Sequence, residues 1–336
     1  MTQGMDWRSF EVSVKTEARF FSRTAANHLT SIFEGIDDLQ TRNGRPIVVD
    51  AGPGTGFHTL YRARVFQSDD KLETALTRPD IHLGSPPAPL AAAGRMNARG
   101  ISVFYGANNQ RAAIAEVRPP VGAQIAVARF EIIRKLRLLD LTALSDVRVT
   151  ESLADFGLAG RMEGAVFLRS LSGRITRPLM RDDEPFEYLA TQAIADFLAT
   201  EASVPIDGII FPSLQAFGEV FNVVLFHKAA RVEPMNVPEG TEISASTGRW
   251  AEDGWVEDYE VLEKVPPFHL RDNKNEQEPR SAGFATIAEA IPLDPRDADW
   301  RDDSLRIVPE SVQVHRVKSV EFATDEFKVN RHRREK

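Results

Sequence analysis

Apolar residues at helical spacing mark three segments of the chain. Apolar positions that recur every three or four residues predict helices over residues 17–39, 110–117 and 186–201. The third segment has the most regular apolar face, and we expect it to be a core helix. That face consists of Phe186, Leu189, Ala190, Ala193, Ile194, Phe197 and Leu198.

Short apolar or alternating runs, rich in β-branched and aromatic residues, predict strands between these helices. The prolines and alanines between residues 68 and 93 predict little regular structure there. From residue 231 onward the chain becomes strongly charged, although residues 311–320 alternate as a strand does, and we expect a peripheral extension. The other predicted strands cover residues 47–49, 59–67, 101–105, 124–132, 136–141, 209–212 and 220–226.

Composition narrows the classes of function. The 41 Lys and Arg residues and 49 Asp and Glu residues give a net charge of −8, which disfavours a general nucleic-acid binder. The absence of cysteine excludes disulfide scaffolds, thiolate zinc sites and cysteine nucleophiles. The seven histidines lie far apart in sequence, so we expect no metal site. No apolar run approaches the roughly 18–20 residues that a membrane-spanning helix needs, and no signal peptide is visible. We therefore expect a cytoplasmic protein without membrane contact.

A glycine-rich segment offers one alternative function. Gly52-Pro53-Gly54-Thr55-Gly56 follows an apolar run and resembles the first glycine-rich loop of class I methyltransferases. In that fold the loop stands between a strand and a helix, so that the backbone can approach the cofactor. Residues 57–66 fit a helix and an alternating strand about equally well. A methyltransferase dependent on S-adenosylmethionine therefore stays open as an alternative.

A second resemblance rests on several blocks spread over roughly residues 57–228. In order and spacing the blocks resemble the RES domain family, which is named after an Arg, a Glu and a Ser. The resemblance implies an α+β fold similar to ADP-ribosyltransferases, with a mixed, mostly antiparallel sheet and flanking helices. The resemblance places a RES catalytic domain at residues 51–230, and beyond it we expect an N-terminal helical extension (1–50) and a charged, partly ordered C-terminal extension (231–336), which the shortest family members lack. The blocks are Leu60–Arg64, Gly94–Ile101, Tyr105, Ala113–Pro119, Asp140–Thr142, Ile206–Ser213 and Asn222–Phe226.

The family resemblance implies a toxin-like enzyme that consumes NAD⁺ by breaking the bond between nicotinamide and ribose. The acceptor of the ribosyl group stays open among inorganic phosphate, water and a protein side chain. The implied partner is an Xre-type helix-turn-helix antitoxin. We expect the chain to form a homo-oligomer or a toxin–antitoxin complex and to make no direct contact with nucleic acid. A non-catalytic module that senses NAD⁺ or binds a partner is the second hypothesis.

Three charged residues of the blocks suit this chemistry. Cleavage of the glycosidic bond leaves an oxocarbenium-like ribose, which a carboxylate stabilises, and Glu116 is the candidate. Arginine forks match phosphate geometry, so Arg62 and Arg95 are candidates for the pyrophosphate, with Arg62 as the family's named Arg. Arg64 lies two residues further along the same strand face and shares this candidacy.

Uncharged candidates complete the predicted site. Tyr105 ends a predicted strand, where its ring can pack against the nicotinamide. Ser213 is expected to donate a hydrogen bond, because no Ser-His-Asp arrangement surrounds it, and Asn222 is expected to support the pocket. Tyr61 is expected to face the other side of the sheet from Arg62. In the Gly-Arg-Met-Asn block, Met96 replaces the commoner Trp and can fill an apolar slot.

Overall fold

The structure is a computed structural model. It describes residues 7–18, 22–148, 158–177, 179–180, 182–203, 205–213, 215, 220–267, 299–321 and 324–333. The strands of these residues are β1 Gln40–Thr41, β2 Val48–Ala51, β3 Thr59–Phe66, β4 Phe104–Ala107, β5 Gln124–Ile132, β6 Leu136–Asp140, β7 Val147–Arg148, β8 Gly208–Pro212, β9 Phe221–Leu225, β10 Glu242–Ala251, β11 Gly254–Lys264 and β12 Leu305–Arg316. The α-helices are α1 Trp7–Val12, α2 Arg23–Phe33, α3 Asp69–Thr77, α4 Pro79–His82, α5 Gln110–Glu116, α6 Leu158–Thr176 and α7 Glu184–Thr200.

A mixed sheet forms the centre of the molecule. Eight of the described strands join in the order β12-β5-β3-β4-β9-β8-β6-β2. Neighbouring strands are antiparallel except for β6 and β8, which are parallel. The predicted α+β fold with a mostly antiparallel sheet is therefore confirmed. Two small antiparallel pairs, β1 with β7 and β10 with β11, lie outside this sheet.

The sheet opens between β3 and β4. Strand β3 pairs with β5 along its whole length, from Thr59 to Phe66. With β4, in contrast, it shares one Cα pair, Tyr61 with Ala107. The two strands diverge beyond that pair, and the gap between them becomes a cleft.

Helices cover both faces of the sheet. α2, α6 and α7 pack together over an apolar cluster that includes Leu139 and Ile209. α3 packs over the face that carries Leu60, where the rings of Phe104 and Phe130 meet edge to face at 4.9 Å. α5 packs on β3 and β5 through small side chains such as Ala113. The small residues bring α5 close to the cleft.

Most sequence-predicted elements are confirmed, but two predictions are wrong. The helix predicted over 17–39 is shorter: α2 begins after Ser22, whose Oγ accepts from the Ala25 N–H at 3.2 Å, and the chain turns at Gly35 with a φ of +69°. Residues 68–93 are not irregular, because they contain two helices, α3 and α4. The apolar face of α3, with Leu72 and Leu76, is buried.

The C-terminal region contributes directly to the sheet. The strand predicted over 311–320 is confirmed in β12, which pairs with β5 and buries Leu305 and Ile307. This pairing contradicts a wholly peripheral extension, because an edge strand of the central sheet comes from this region. The hairpin of β10 and β11 was not predicted. The division of the chain at residues 50 and 230 stays a prediction.

The glycine-rich loop does not support the methyltransferase alternative. The loop joins β2 to β3, so a strand and not a helix follows it. Gly52 has a φ of +113°, and a Cβ there would stand 2.4 Å from the Arg134 carbonyl oxygen. The glycine therefore serves close backbone packing, and the methyltransferase prediction is wrong. No helix among the described residues has the length and apolar character needed to cross a membrane.

Candidate functional site

A cleft of about 300 Å³ lies where β3 and β4 diverge. This volume is at the lower end of the range for ligand pockets. Its wall is mostly apolar, with a small number of polar groups that converge on it. It is lined by Tyr61, Arg62, Ala63, Arg95, Tyr105, Gly106, Ala107, Ala113, Glu116, Val117, Phe211 and Asn222.

Glu116 is held at the edge of the cleft by two hydrogen bonds. Its Oε1 accepts from the Ser213 Oγ and from the Asn222 Nδ2, each at 2.7 Å. No described residue donates to its Oε2, and neither Arg111 nor Arg118 pairs with it. Glu116 ends α5, where the helix dipole disfavours a negative charge. Helix stability therefore does not account for a carboxylate at this position.

Asn222 contributes a second polar group to the cleft. It lies on β9 opposite Ala107, and it is 5% exposed. While its Nδ2 donates to Glu116, its buried Oδ1 has no hydrogen-bond partner among the described residues. A buried acceptor left unsatisfied costs about 1–3 kcal/mol, so this oxygen favours a ligand that donates an N–H or O–H.

Arg62 supplies positive charge to the same cleft. Its NH1 donates to the Gly84 carbonyl at 2.8 Å, and its guanidinium lies 5.0 Å from the centre of the Phe104 ring. Burial, together with the nearby charge of Arg64, lowers the pKa of Arg62 to about 10. The side chain is thus still a cation at neutral pH, and no described carboxylate pairs with it.

Arg95 reaches the cleft from the loop before β4, but most of its contacts are structural. NH1 and NH2 donate to the carbonyls of Arg174 (3.2 Å) and Arg177 (2.7 Å) at the end of α6. The guanidinium also lies 5.2 Å from the centre of the Tyr188 ring. A cation at a helix C-terminus is favourable, so Arg95 ties this loop to α6.

Tyr105 is fixed by its hydroxyl, which donates to the Asn97 Oδ1 and accepts from the Met96 N–H, both at 3.1 Å. Burial raises the pKa of Tyr105 well above its usual value. The phenol therefore stays neutral, and its ring forms part of the cleft wall. Met96 is buried in the core, as expected of a residue that fills an apolar slot.

Asn97 is a positioning residue that sequence reasoning did not select. It is 2% exposed, and its Nδ2 donates to the carbonyls of Ala92, Ala98 and Ile101 at 2.8–3.2 Å. Through Oδ1 it also holds Tyr105. The signal was present in the sequence, because Asn97 ends the Gly-Arg-Met-Asn block.

A comparison with protein-family models gives one match, to the RES domain, over residues 59–246. The chain belongs to the RES family. No curated protein and no solved structure matches it. Membership in the RES family is consistent with a toxin-like, NAD-related module and with enzymatic activity, while no relative names a specific reaction.

The structure brings most of the predicted RES site together. Arg62, Arg95, Tyr105, Glu116 and Asn222 line one cleft, and Ser213 joins it through its hydrogen bond to Glu116. The roles assigned to these residues stay predictions.

Two details of the RES cleft differ from the sequence-based expectation. Tyr61 was expected to face away from Arg62, but both line the cleft, because the divergence of β3 and β4 opens it to both faces of β3. Arg64 lies outside this cleft and lines a neighbouring cavity, where its NH1 donates to the His82 carbonyl at 2.8 Å. Among the described residues no group of three His, Asp or Glu side chains could hold a metal ion.

Proposed function

We propose that this RES protein consumes NAD⁺ by breaking the bond between nicotinamide and ribose. The observation that carries the proposal is the position of Glu116, whose carboxylate is fixed by Ser213 and Asn222 at a cleft that also contains the cationic Arg62. An anion and a cation that line the same cleft without pairing to each other suit a ligand with a positive centre and negative phosphates.

The reaction follows from this arrangement of charges. The C–N bond between the ribose C1′ and nicotinamide breaks, and its electron pair neutralises the pyridinium nitrogen of the departing base. Positive charge then develops on the ribose, where Glu116 stabilises it electrostatically. An oxygen nucleophile, from phosphate, water or a protein side chain, adds to C1′, and the proton that it carries passes to the solvent. No metal is required for any of these steps.

The remaining side chains position the substrate. The guanidinium of Arg62 binds the pyrophosphate. Arg95 also binds the pyrophosphate, with those of its five N–H donors that do not bind the carbonyls at the end of α6. The ring of Tyr105 packs against the nicotinamide. The Asn222 Oδ1 accepts a hydrogen bond from the substrate, which satisfies its unpartnered oxygen. Ser213 orients Glu116 by donating to it.

Family membership supports the biological part of the proposal. The protein acts as a toxin in the cytoplasm, where NAD⁺ is present. An Xre-type antitoxin neutralises it by covering the cleft. The exposed position of Glu116 is compatible with such a cover, because the carboxylate is reachable from solvent.

The test is to incubate the purified protein with NAD⁺, with and without phosphate, and to follow nicotinamide release. Release that depends on Glu116 supports the proposal, and the mass of the ribosyl product identifies the acceptor. Binding of NAD⁺ without any release would instead identify the non-catalytic sensing module. Absence of both binding and release would overturn the proposal.

A further inference from the structure

A second cavity, of about 600 Å³, lies beside the cleft along the same strand. It begins at Arg64, two residues beyond Arg62 on β3, and extends to the first turns of α3 and the end of α4. We call it the α3 cavity. It is lined by Arg64, Val65, Phe66, Gln67, Ser68, Lys71, Thr74 and His82.

The α3 cavity follows the cleft along β3, because Arg62 lines the cleft and Arg64 lines the cavity. Beyond Tyr61 the edge of β3 has no Cα partner on β4. Arg62 and Arg64 lie on one face of this strand, about 7 Å apart along it. Each guanidinium is anchored at 2.8 Å by a carbonyl of one short segment, Gly84 for Arg62 and His82 for Arg64. The two arginines therefore follow each other along β3, one in each cavity.

The charge of the α3 cavity suits an anion. Its lining contains two permanent cations, Arg64 and Lys71, together with a histidine, and it contains no carboxylate. The nearby Asp69 faces away, since its Oδ1 accepts from the Gln124 Nε2 at 3.0 Å on β5.

Lys71 is the most informative residue of this cavity. Its side chain makes no ion pair or hydrogen bond with any residue that the structure describes. It lies in the first turn of α3, where the helix dipole disfavours a positive charge. The residue is exposed, so its ammonium is open to an anion that enters the cavity. Ser68, which precedes the helix, also makes no side-chain capping bond and keeps its hydroxyl available.

We infer that the α3 cavity binds the adenylate half of the dinucleotide, with the adenylate phosphate between Arg64 and Lys71 and the other phosphate of the pyrophosphate at Arg62, while the cleft holds the nicotinamide and its ribose. This inference rests on the proposed function for the identity of the whole ligand. The cleft alone is at the small end of ligand pockets, and the α3 cavity adds a second cationic site further along the same strand.

The direct test measures binding of 5′-AMP by calorimetry to the wild type, to Lys71→Glu and to Lys135→Glu. Lys135 is an exposed lysine that follows β5, away from the α3 cavity, and pairs with Asp50 at 2.9 Å; its variant makes the same change in net charge. We expect 5′-AMP to bind the wild type and Lys135→Glu equally, and Lys71→Glu about tenfold or more weakly, because a charge-assisted bond to phosphate is lost. Lack of binding to the wild type, or equal binding to all three proteins, overturns the inference.

Kinetics separate this inference from the proposed function. With NAD⁺ as substrate, Lys71→Glu should raise KM about tenfold with little change in kcat, because the lost contact is made equally in the ground and transition states. A fall in kcat of similar size would contradict a binding role. If the wild type releases no nicotinamide at all, the proposed function fails, and the 5′-AMP titration alone decides whether the α3 cavity binds nucleotides.

Discussion

Replacement of Glu116 by glutamine should lower activity without lowering stability. The glutamine Oε1 can still accept from Ser213 and Asn222, since both bonds reach a single oxygen of the carboxylate. The amide has the shape of the carboxylate, and the position is exposed, so the α5 helix and the cleft should keep their structure. What the variant loses is the negative charge.

The magnitudes follow from where that charge lies. Loss of a preorganised electrostatic group that acts on the transition state typically lowers the rate about 10²–10³-fold, which corresponds to about 2.7–4 kcal/mol. At the same time, removal of an anion from the C-terminal end of α5 relieves an unfavourable helix-dipole interaction of about 0.3–1 kcal/mol. The variant should thus unfold at an equal or slightly higher temperature than the wild type.

The assay combines nicotinamide release at saturating NAD⁺ with thermal unfolding of the same preparations. Glu73→Gln serves as a control for a glutamate outside the cleft, where the carboxylate holds the Thr247 N–H and hydroxyl at 3.1 Å. The control should lose some stability and keep its activity. If Glu116→Gln turns over at nearly the wild-type rate, or if its activity falls only as its unfolding temperature falls, the electrostatic role of Glu116 is refuted.

Three further predictions concern residues that support the structure. Asn97→Ala should lower the free energy of unfolding by about 2–3 kcal/mol, because it leaves buried carbonyls and the Tyr105 hydroxyl without their partner; urea unfolding measures the loss, and an unchanged midpoint would contradict it. Met96→Trp should cost about 1–3 kcal/mol in the same assay, since a larger ring must enter a site that is already filled, and a gain in stability would show that the slot has spare room. Hydrogen bonds from Arg301 lower the pKa of Asp299 to about 2, against 3.8 for an ordinary aspartate, so this carboxylate stabilises the fold above about pH 4 and loses that contribution as the pH falls toward 2. In Asp299→Asn the difference in unfolding free energy from the wild type should therefore be largest near neutral pH and vanish near pH 2, and a difference independent of pH would exclude the ion pair as its source.

The elements predicted correctly from sequence are those whose apolar pattern is dense and local. β3, β5, β6 and α7 are of this kind, and their bounds agree with the prediction within a few residues. α6 was not predicted although it is 19 residues long, because its apolar residues do not gather on one regular face. α3 was missed because the prolines further along dominate the pattern of that region. Local patterns cannot reveal a helix that is fixed chiefly by tertiary packing.

The site was predictable as a set of residues but not as a geometry. The blocks of the family resemblance contain Arg62, Glu116 and Asn222, yet no local pattern shows that Ser213 and Asn222 share one oxygen of Glu116. The strand alternation that placed Tyr61 on the far face assumes a regular sheet, and the sheet is not regular at this point. The sequence also does not show that Arg62 and Arg64, two residues apart on β3, line different cavities.

The pairing of β12 with β5 has a consequence for how this protein is made. β5 pairs with β3 along one edge. Its other edge has no hydrogen-bonded partner until β12, which lies much later in the chain, pairs with it. A fragment limited to residues 59–246 would lack both β12 and β2, so it would expose backbone donors and acceptors on either flank of the sheet. Such a fragment should self-associate through its open strands, and a ribosome-bound chain would need shielding there until its last strand emerges.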